Sequence, residues 1–347
     1  MKLQYFKRSL QFKIPAGTSR GVLKEKPSWI IYFEENDQIL GEISIIPGLS
    51  PDYVDDTQFE SKLGLVCETF NSLIKDKSQQ LVLSYFCVEL KKFPSILFGL
   101  ETLIYNWKRV HEKDVFVSDF SQGKKGIPIN GLIWMGAKET MISQIENKIN
   151  EGFTVIKLKI GAIDFEDELN LIKGIREQYG YEIEIRVDAN GAFKENNIDD
   201  ILMRLKEQGV HSIEQPVEVG QHELMKSLCH KNSIPIALDE ELTGVVDTSK
   251  KIQLLNQILP QYIIIKPSLH GGIKGCMEWI DIANSMGIGW WLTSALESNI
   301  GLEMIARFAG YLDPKIPQGL GTGGLFHNNF PSYMHIKKGN LFLQNEE

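Results

Sequence analysis

EIEIRVD, residues Glu182–Asp188, is a short run of strand length that ends in a carboxylate. Four further runs repeat its plan: VIKLK (Val155–Lys159), HSIEQP (His211–Pro216), PIALD (Pro235–Asp239) and YIIIK (Tyr262–Lys266). The charges at or near their ends, Lys159, Asp188, Glu214, Asp239 and Lys266, stand 29, 26, 25 and 27 residues apart. A strand, a helix and two loops need roughly 25–30 residues, so the beat is that of a repeated βα unit. Successive parallel strands with charged C-terminal ends describe the catalytic mouth of a (β/α) barrel.

The pattern extends outward on both sides. NGLIWMG (Asn130–Gly136) and IGWWLTS (Ile288–Ser294) supply an earlier and a later strand, and helical periodicity fills the gaps between runs, as at Phe165–Gln178 and Ile198–Gln208. The first part of the chain is organised differently. LQYFKRSLQFKI alternates, SWIIYFEE and GEISIIPG add two strands, and the intervening PAGTSRGVLKEKP reads as a loop. Helices follow at Gln58–Ile74 and Ser95–Trp107. Residues 1–125 therefore read as an α+β domain and residues 126–326 as the barrel. The alternating tail HIKKGNLFLQ is expected to return to the first domain, completing it with about residues 327–347.

With 347 residues, the chain exceeds one typical barrel by a modest margin. Its 43% hydrophobic and 24% charged residues are those of an ordinary soluble protein. A formal charge of −8 argues against nucleic acid or an anionic membrane surface as partner. No signal-peptide pattern opens the chain and no apolar window is long enough to span a bilayer, so a cytoplasmic location is expected. Cys67, Cys87, Cys229 and Cys276 are scattered and read as reduced thiols. A homo-oligomer is neither required nor excluded.

Asp188, Glu214 and Asp239 close three consecutive strands, and neighbouring strands lie about 4.8 Å apart. Three anions that close repel one another unless a cation lies between them. One acid alone would read as solvated or as a helix cap; three in register read as a metal site. Oxygen ligands with no histidine or cysteine nearby favour Mg²⁺ or Mn²⁺ over zinc. Lys157 and Lys159 point to one side of their strand, and Lys266 ends an apolar run across the acids. Beside a divalent cation and a second ammonium, such a lysine has its charged form disfavoured and becomes a usable base. These groups fit proton abstraction next to a carboxylate, with an enediolate stabilised as it develops.

Other residues carry weaker signals. Arg186 shares the face of Asp188 and either joins the site or forms an internal ion pair. Ser294 and Ser298 follow the seventh strand but lie outside any G-x-S-x-G elbow. Gly271–Gly272 and Gly323–Gly324 fit no nucleotide fingerprint. The tryptophans, including Trp134, are expected in the core.

The K-x-K of Lys157–Lys159, Lys266, R-V-D-A-N (Arg186–Asn190), N-G-L-I-W-M-G, S-A-L-E-S (Ser294–Ser298) and G-L-G-T-G-G-L-F (Gly319–Phe326) carry a resemblance. The chain resembles the enolase superfamily, and within it the muconate-lactonizing subgroup, over essentially its whole length. The resemblance implies a modified (β/α)₇β barrel of TIM type with an N-terminal α+β capping domain. It implies Mg²⁺ on Asp188, Glu214 and Asp239, Lys159 as base, and Lys266 as the opposing lysine. The loop S-R-G-V-L-K (Ser19–Lys24) matches the capping-domain loop that closes over substrate. Supporting or substrate-binding roles fall to Lys157, Arg186, Asn190, Ser19, Arg20, Leu23, Ser294, Ser298, Gly321 and Thr322. The narrower segments resemble a lyase branch that aromatises a succinyl-bearing hydroxycyclohexadiene carboxylate in menaquinone biosynthesis. Racemases of N-succinylated amino acids, dipeptide epimerases and cycloisomerases of the superfamily are the rival readings. A scaffold without chemistry would not be expected to keep all five charges.

Overall fold

A computed structural model describes residues 1–18 and 21–344. Three antiparallel strands, β1 (Leu3–Thr18), β2 (Gly21–Phe33) and β3 (Asn36–Ser44), form the first sheet in that order. Helices α1 (Asp56–Leu73), α2 (Gln79–Glu89) and α3 (Pro94–His111) pack on it. Asp55 caps α1 by accepting the Gln58 N–H at 2.9 Å. The cap's own core joins Trp29, Ile31 and Phe33 of β2 to Phe59, Phe70 and Phe86.

The segment Pro15–Pro27, expected as a loop, is mostly strand. β1 and β2 form a long hairpin whose register shifts between Gln11 and Ala16. Loop-like composition is overridden by contacts with the far end of the chain. The Lys13 N–H donates to Leu325 O at 2.8 Å, the His327 N–H donates to Gln11 O at 2.9 Å, and Phe12 packs on Phe326. Ser19 and Arg20 lie outside the described residues.

After β4 (Ile127–Pro128) the βα alternation begins: β5 (Gly131–Ile133), α4 (Lys138–Asn150), β6 (Val155–Lys159), α5 (Phe165–Tyr179), β7 (Glu184–Asp188), α6 (Ile198–Glu207) and β8 (Ser212–Glu214). It continues with α7 (His222–Lys231), β9 (Ile236–Leu238), α8 (Thr248–Ile258), β10 (Tyr262–Ile265), α9 (Gly272–Ser285), β11 (Gly289–Leu292) and α10 (Asn299–Leu312). The strands β5 to β11 pair in sequence order, all parallel. Gln318 bridges Ile129 and Gly319 bridges Thr293, both parallel, so this short segment closes the ring between β11 and β5. Seven βα units followed by a closing β segment is the (β/α)₇β arrangement.

The helices form where an apolar stripe meets the sheet. In α6, Ile198, Ile201, Leu202 and Leu205 are buried at the spacing of one helical face. Ile156 and Leu158 of β6 and Ile185 and Val187 of β7 join the same core as those helices. Alternation then turns Lys157, Lys159, Arg186 and Asp188 to the barrel interior.

The tail divides its contacts. Leu325–Asn328 bonds to β1, whereas β12 (Met334–Lys337) and β13 (Asn340–Leu343) form a hairpin whose second strand pairs with β4. The tail hairpin thus adds to β4, just ahead of the first barrel strand, and not to the β1–β3 sheet. The cap's edges are occupied differently: β1 meets the Leu325–Asn328 segment and β3 carries α3.

Candidate active site

Parallel pairing brings the decisive charges into one row. Lys159 is level with Asp188, and Asp188 with Glu214, across β6, β7 and β8. Asp239 and Lys266 follow β9 and β10 directly. Oxygen atoms of Asp188, Glu214 and Asp239 all lie within 4.8 Å of one another, and all three side chains are buried. The Lys157 ammonium lies between two of them, 2.5 Å from Glu214 Oε2 and 2.8 Å from Asp188 Oδ2. Lys159 Nζ donates to Asp188 Oδ2 at 2.6 Å and to Asn190 Oδ1 at 3.0 Å. From the opposite side Lys266 Nζ donates to Asp239 Oδ2.

Burial and charge oppose each other here. Burial disfavours the Lys157 ammonium, yet Asp188, Glu214 and Asp239 outweigh it and hold the group above the usual lysine value. Lys266 is shifted the same way, burial being overcome by Asp239 and Glu214. These directions belong to the site without a cation, where three carboxylates within reach favour the charged lysines. Burial and the neighbouring Asp188 push the Glu214 carboxyl well above its ordinary range. Against burial, Lys157 and Lys159 hold Asp188 well below.

The three acids fit a hard divalent cation. Glu214 Oε1 and Asp239 Oδ1 are buried with no hydrogen-bond partner among the described residues, which is costly unless a cation meets them. All the donors are carboxylate oxygens, the set that Mg²⁺ prefers.

The backbone supporting these acids is bent on purpose. Asn190 and Gln215 have φ of 45° and 39°, left-handed values that let the chain turn sharply beyond each strand end. The Asn190 N–H donates to Asp188 Oδ1 at 3.1 Å, and Asn190 Nδ2 donates to Glu240 Oε1 at 2.8 Å. Gln215 Oε1 accepts the N–H groups of Asp239 and Glu241, each at 3.2 Å. Gln215 and Glu240 give no signal of their own in the sequence, although each directly follows one of the three acids.

A cavity of about 390 Å³ opens over this cluster, between cap and barrel. Lys157, Lys159, Asn190, Glu214 and Lys266 form its floor. Leu23, Ser294, Gly321 and Thr322, all expected at the site, line it as well. Ser294 Oγ and Thr322 Oγ1 share a hydrogen bond of 2.7 Å. Two of the described residues expected to support or bind substrate do not line it. The Arg186 guanidinium sits deeper, 2.8 Å from Glu184 Oε1 and over the Trp291 ring, so the internal ion pair is realised. Ser298 is the N-cap of α10 and bonds to Glu42 of the cap. Trp134 lies in the core as expected, packed with Leu10, Phe12 and Phe326, and its cluster also borders the cavity wall with Asn130 and Leu132. The roof segment Ile46–Leu49 also went unrecognised, because only the fold brings it there.

Residues 140–343 match the family described as Enolase C-terminal domain-like. Together with the full-length relative described next, this match shows that the chain belongs to the enolase superfamily. It is 42% identical to the o-succinylbenzoate synthase of Desulfotalea psychrophila over 98% of both chains. The solved structure of MenC from Desulfotalea psychrophila covers 99% of both chains with a TM-score of 0.82 and 38% identity. An L-Ala-D/L-Glu epimerase of Bacillus subtilis has a TM-score of 0.84 over 99% of this chain and 97% of its own, at 18% identity, and shares the fold. Among the described residues no helix is long and apolar enough to cross a membrane.

Proposed function

We propose that this chain is an o-succinylbenzoate synthase. On this reading it is a carbon–oxygen lyase of the cytoplasm that dehydrates 2-succinyl-6-hydroxy-2,4-cyclohexadiene-1-carboxylate to 2-succinylbenzoate in menaquinone biosynthesis. The observation that carries the chemistry is the placement of Lys159 and Lys266 on opposite sides of three mutually close carboxylates in one cavity. The full-length similarity to a synthase supports the choice of substrate. We divide the chain into a cap (1–125) and a barrel (126–326), with the tail contacting both.

Asp188, Glu214 and Asp239 would hold Mg²⁺, or Mn²⁺ in its place. When bound, that cation would supply positive charge for the substrate carboxylate as the enediolate develops and offset the negative charge of the three acids. Lys159 removes the proton α to the ring carboxylate, with Asn190 Oδ1 and Asp188 orienting its amine. It then returns that proton to the departing hydroxyl, so one residue serves as base and acid. Lys266 stays charged on the other face and stabilises the developing anion. Lys157, bonded to Asp188 and Glu214, fixes both carboxylates. The apolar roof and Trp134 exclude water from the ring, while the hydroxyls of Ser294 and Thr322 offer donors to the polar tail.

The opposed lysines also suit racemisation of N-succinylated amino acids, where protons exchange on both faces. Ultraviolet-monitored turnover of the cyclohexadiene carboxylate, with Mg²⁺ and then with EDTA, tests the proposal. Aromatisation that stops with EDTA and returns with Mg²⁺ is the expected result. A folded, Mg²⁺-binding protein that fails to turn the diene over would leave the racemase.

A further inference from the structure

The turn that carries Lys266 is held by two buried side chains. The Leu269 and His270 N–H groups close it by donating to Lys266 O, both at 2.9 Å. The Lys266 N–H donates to His270 Nδ1 at 3.0 Å. Ser268, two residues after Lys266, donates from Oγ to Glu297 Oε1 at 2.6 Å, and neither residue has exposed surface.

Glu297 belongs to a segment that the cap grips. Ser298, its neighbour, gives its N–H and Oγ–H to Glu42 of β3 at 2.8 and 2.6 Å, and the Gly301 N–H gives a third bond at 3.0 Å. Ser44 of β3 donates to Ala295 O at 3.1 Å, and Lys26 of β2 donates to Ser44 at 2.6 Å. Crowding shows how tightly the parts fit: a Cβ at Gly301 would lie 2.8 Å from Glu297 Cγ and 3.0 Å from Glu42 Oε2. The same segment lines the cavity at Ser294, Ala295 and Leu296. Cap strands, cavity wall and the Lys266 turn therefore form one buried hydrogen-bonded unit.

We propose that Glu297 and Ser268 are positioning residues that tie the placement of Lys266 to the seating of the cap. This rests on the synthase reading, in which Lys266 stabilises the anion. Ser268 reaches Lys266 through the turn, so loss of its bond to Glu297 frees the turn and lets the ammonium drift from its place. Because small misplacements of a catalytic group are costly, Ser268→Ala should lower kcat roughly ten-fold. The cavity floor is otherwise intact, so KM should change less than about two-fold, since ground-state contacts remain. Glu297→Ala should behave like Ser268→Ala. Glu297→Gln keeps an oxygen that accepts the Ser268 hydroxyl and should restore most of kcat.

The experiment is steady-state turnover of the cyclohexadiene carboxylate by the Mg²⁺-loaded wild type and these three variants, with thermal melting of each. A kcat loss in both alanine variants, rescued in Glu297→Gln and with KM held, supports the proposal. Wild-type kcat in both alanine variants overturns it. A loss that Glu297→Gln shares, or one that appears equally in KM or melts the protein, also overturns it, because the residues are then merely structural. An inactive wild type shows instead that the synthase reading is wrong, and the proposal falls with it.

Discussion

Glu101→Gln should flatten the pH dependence of stability. Glu101 sits on α3 of the cap with 1% of its surface exposed, and its carboxylate covers the start of barrel helix α9. The Ile273 and Lys274 N–H groups donate to it at 2.6 and 3.2 Å, satisfying donors that a helix start leaves open. Gly272 has φ of 67° and no Cβ, which would otherwise collide with Glu101 Oε2. Burial still dominates over these bonds and pushes the carboxyl up from 4.5 to about 8. The folded chain therefore holds this proton more tightly than the unfolded one. Its contribution is fully present below pH 4.5 and is lost as pH rises through 8. Integrating the linkage relation with those two values gives a loss of about 2 kcal/mol between pH 6 and pH 8. At a urea slope of about 3 kcal/mol/M, that is a midpoint shift of roughly 0.7 M. Burial also raises Glu297 to about 7 and Asp52 to about 6, and both add to the wild-type slope in the same direction. The comparison that isolates Glu101 is the difference between wild type and Glu101→Gln, each unfolded in urea at both pH values and followed by tryptophan fluorescence. The variant should lose about 2 kcal/mol less over that interval. An equal loss in both proteins would refute the reasoning.

Two further predictions address the site itself. Lys159→Ala should cut turnover by roughly a thousand-fold or more, the share of a general base, while circular dichroism and melting stay near wild type; near-normal turnover would sink the mechanism. Mg²⁺ should raise the melting temperature of the wild type, by about 2.7 kcal/mol of stability at a hundred times its dissociation constant. Asp239→Asn, which replaces a charged ligand, should lose most of that response, and an undiminished shift would place the cation elsewhere.

The barrel and its charged row were legible because two strong regularities coincide. Strand–helix spacing fixes a period, and the pleat fixes which side chains share a face, so Lys159, Asp188 and Glu214 could be aligned before any coordinates. What failed to show depends on contacts between distant segments. Pro15, Gly17, Gly21 and Pro27 have the composition of a loop, but pairing with Leu325 and His327 draws them into a hairpin. The roof at Ile46–Leu49 and the wall at Trp134 are ordinary apolar residues until the cap is seated on the barrel. Ser298 carries a second signal beside its place after the seventh strand, because a serine directly before a helical pattern is an N-cap. Arg186 was correctly placed on the interior face, yet its depth along the barrel axis decided its partner.

Carboxylate chemistry alone would not separate the metal site from the domain lock, since both bury acids of one type. Unmet oxygens together with clustering do. Glu42 Oε1 accepts from Ser28 and Ser298, and its Oε2 accepts from Ser298 and Gly301, so every side facing the barrel is met by a donor. Both oxygens of Glu101 are likewise taken by N–H groups of α9. Such acids are held by peptide donors and need no cation. Glu214 and Asp239 each keep one oxygen unmet while a second and third carboxylate stand close by. Glu168, Asp52 and Glu297, the last beside Ser298 in the cap–barrel contact, also each leave one oxygen without a partner, but none belongs to a group of three ligating side chains among the described residues. Unmet oxygens in a cluster of three are what a divalent cation resolves, and a solitary one is within reach of a single water. The distinction marks the ends of β7, β8 and β9 as the group that would hold a divalent cation, and leaves Glu42 and Glu101 to join cap and barrel.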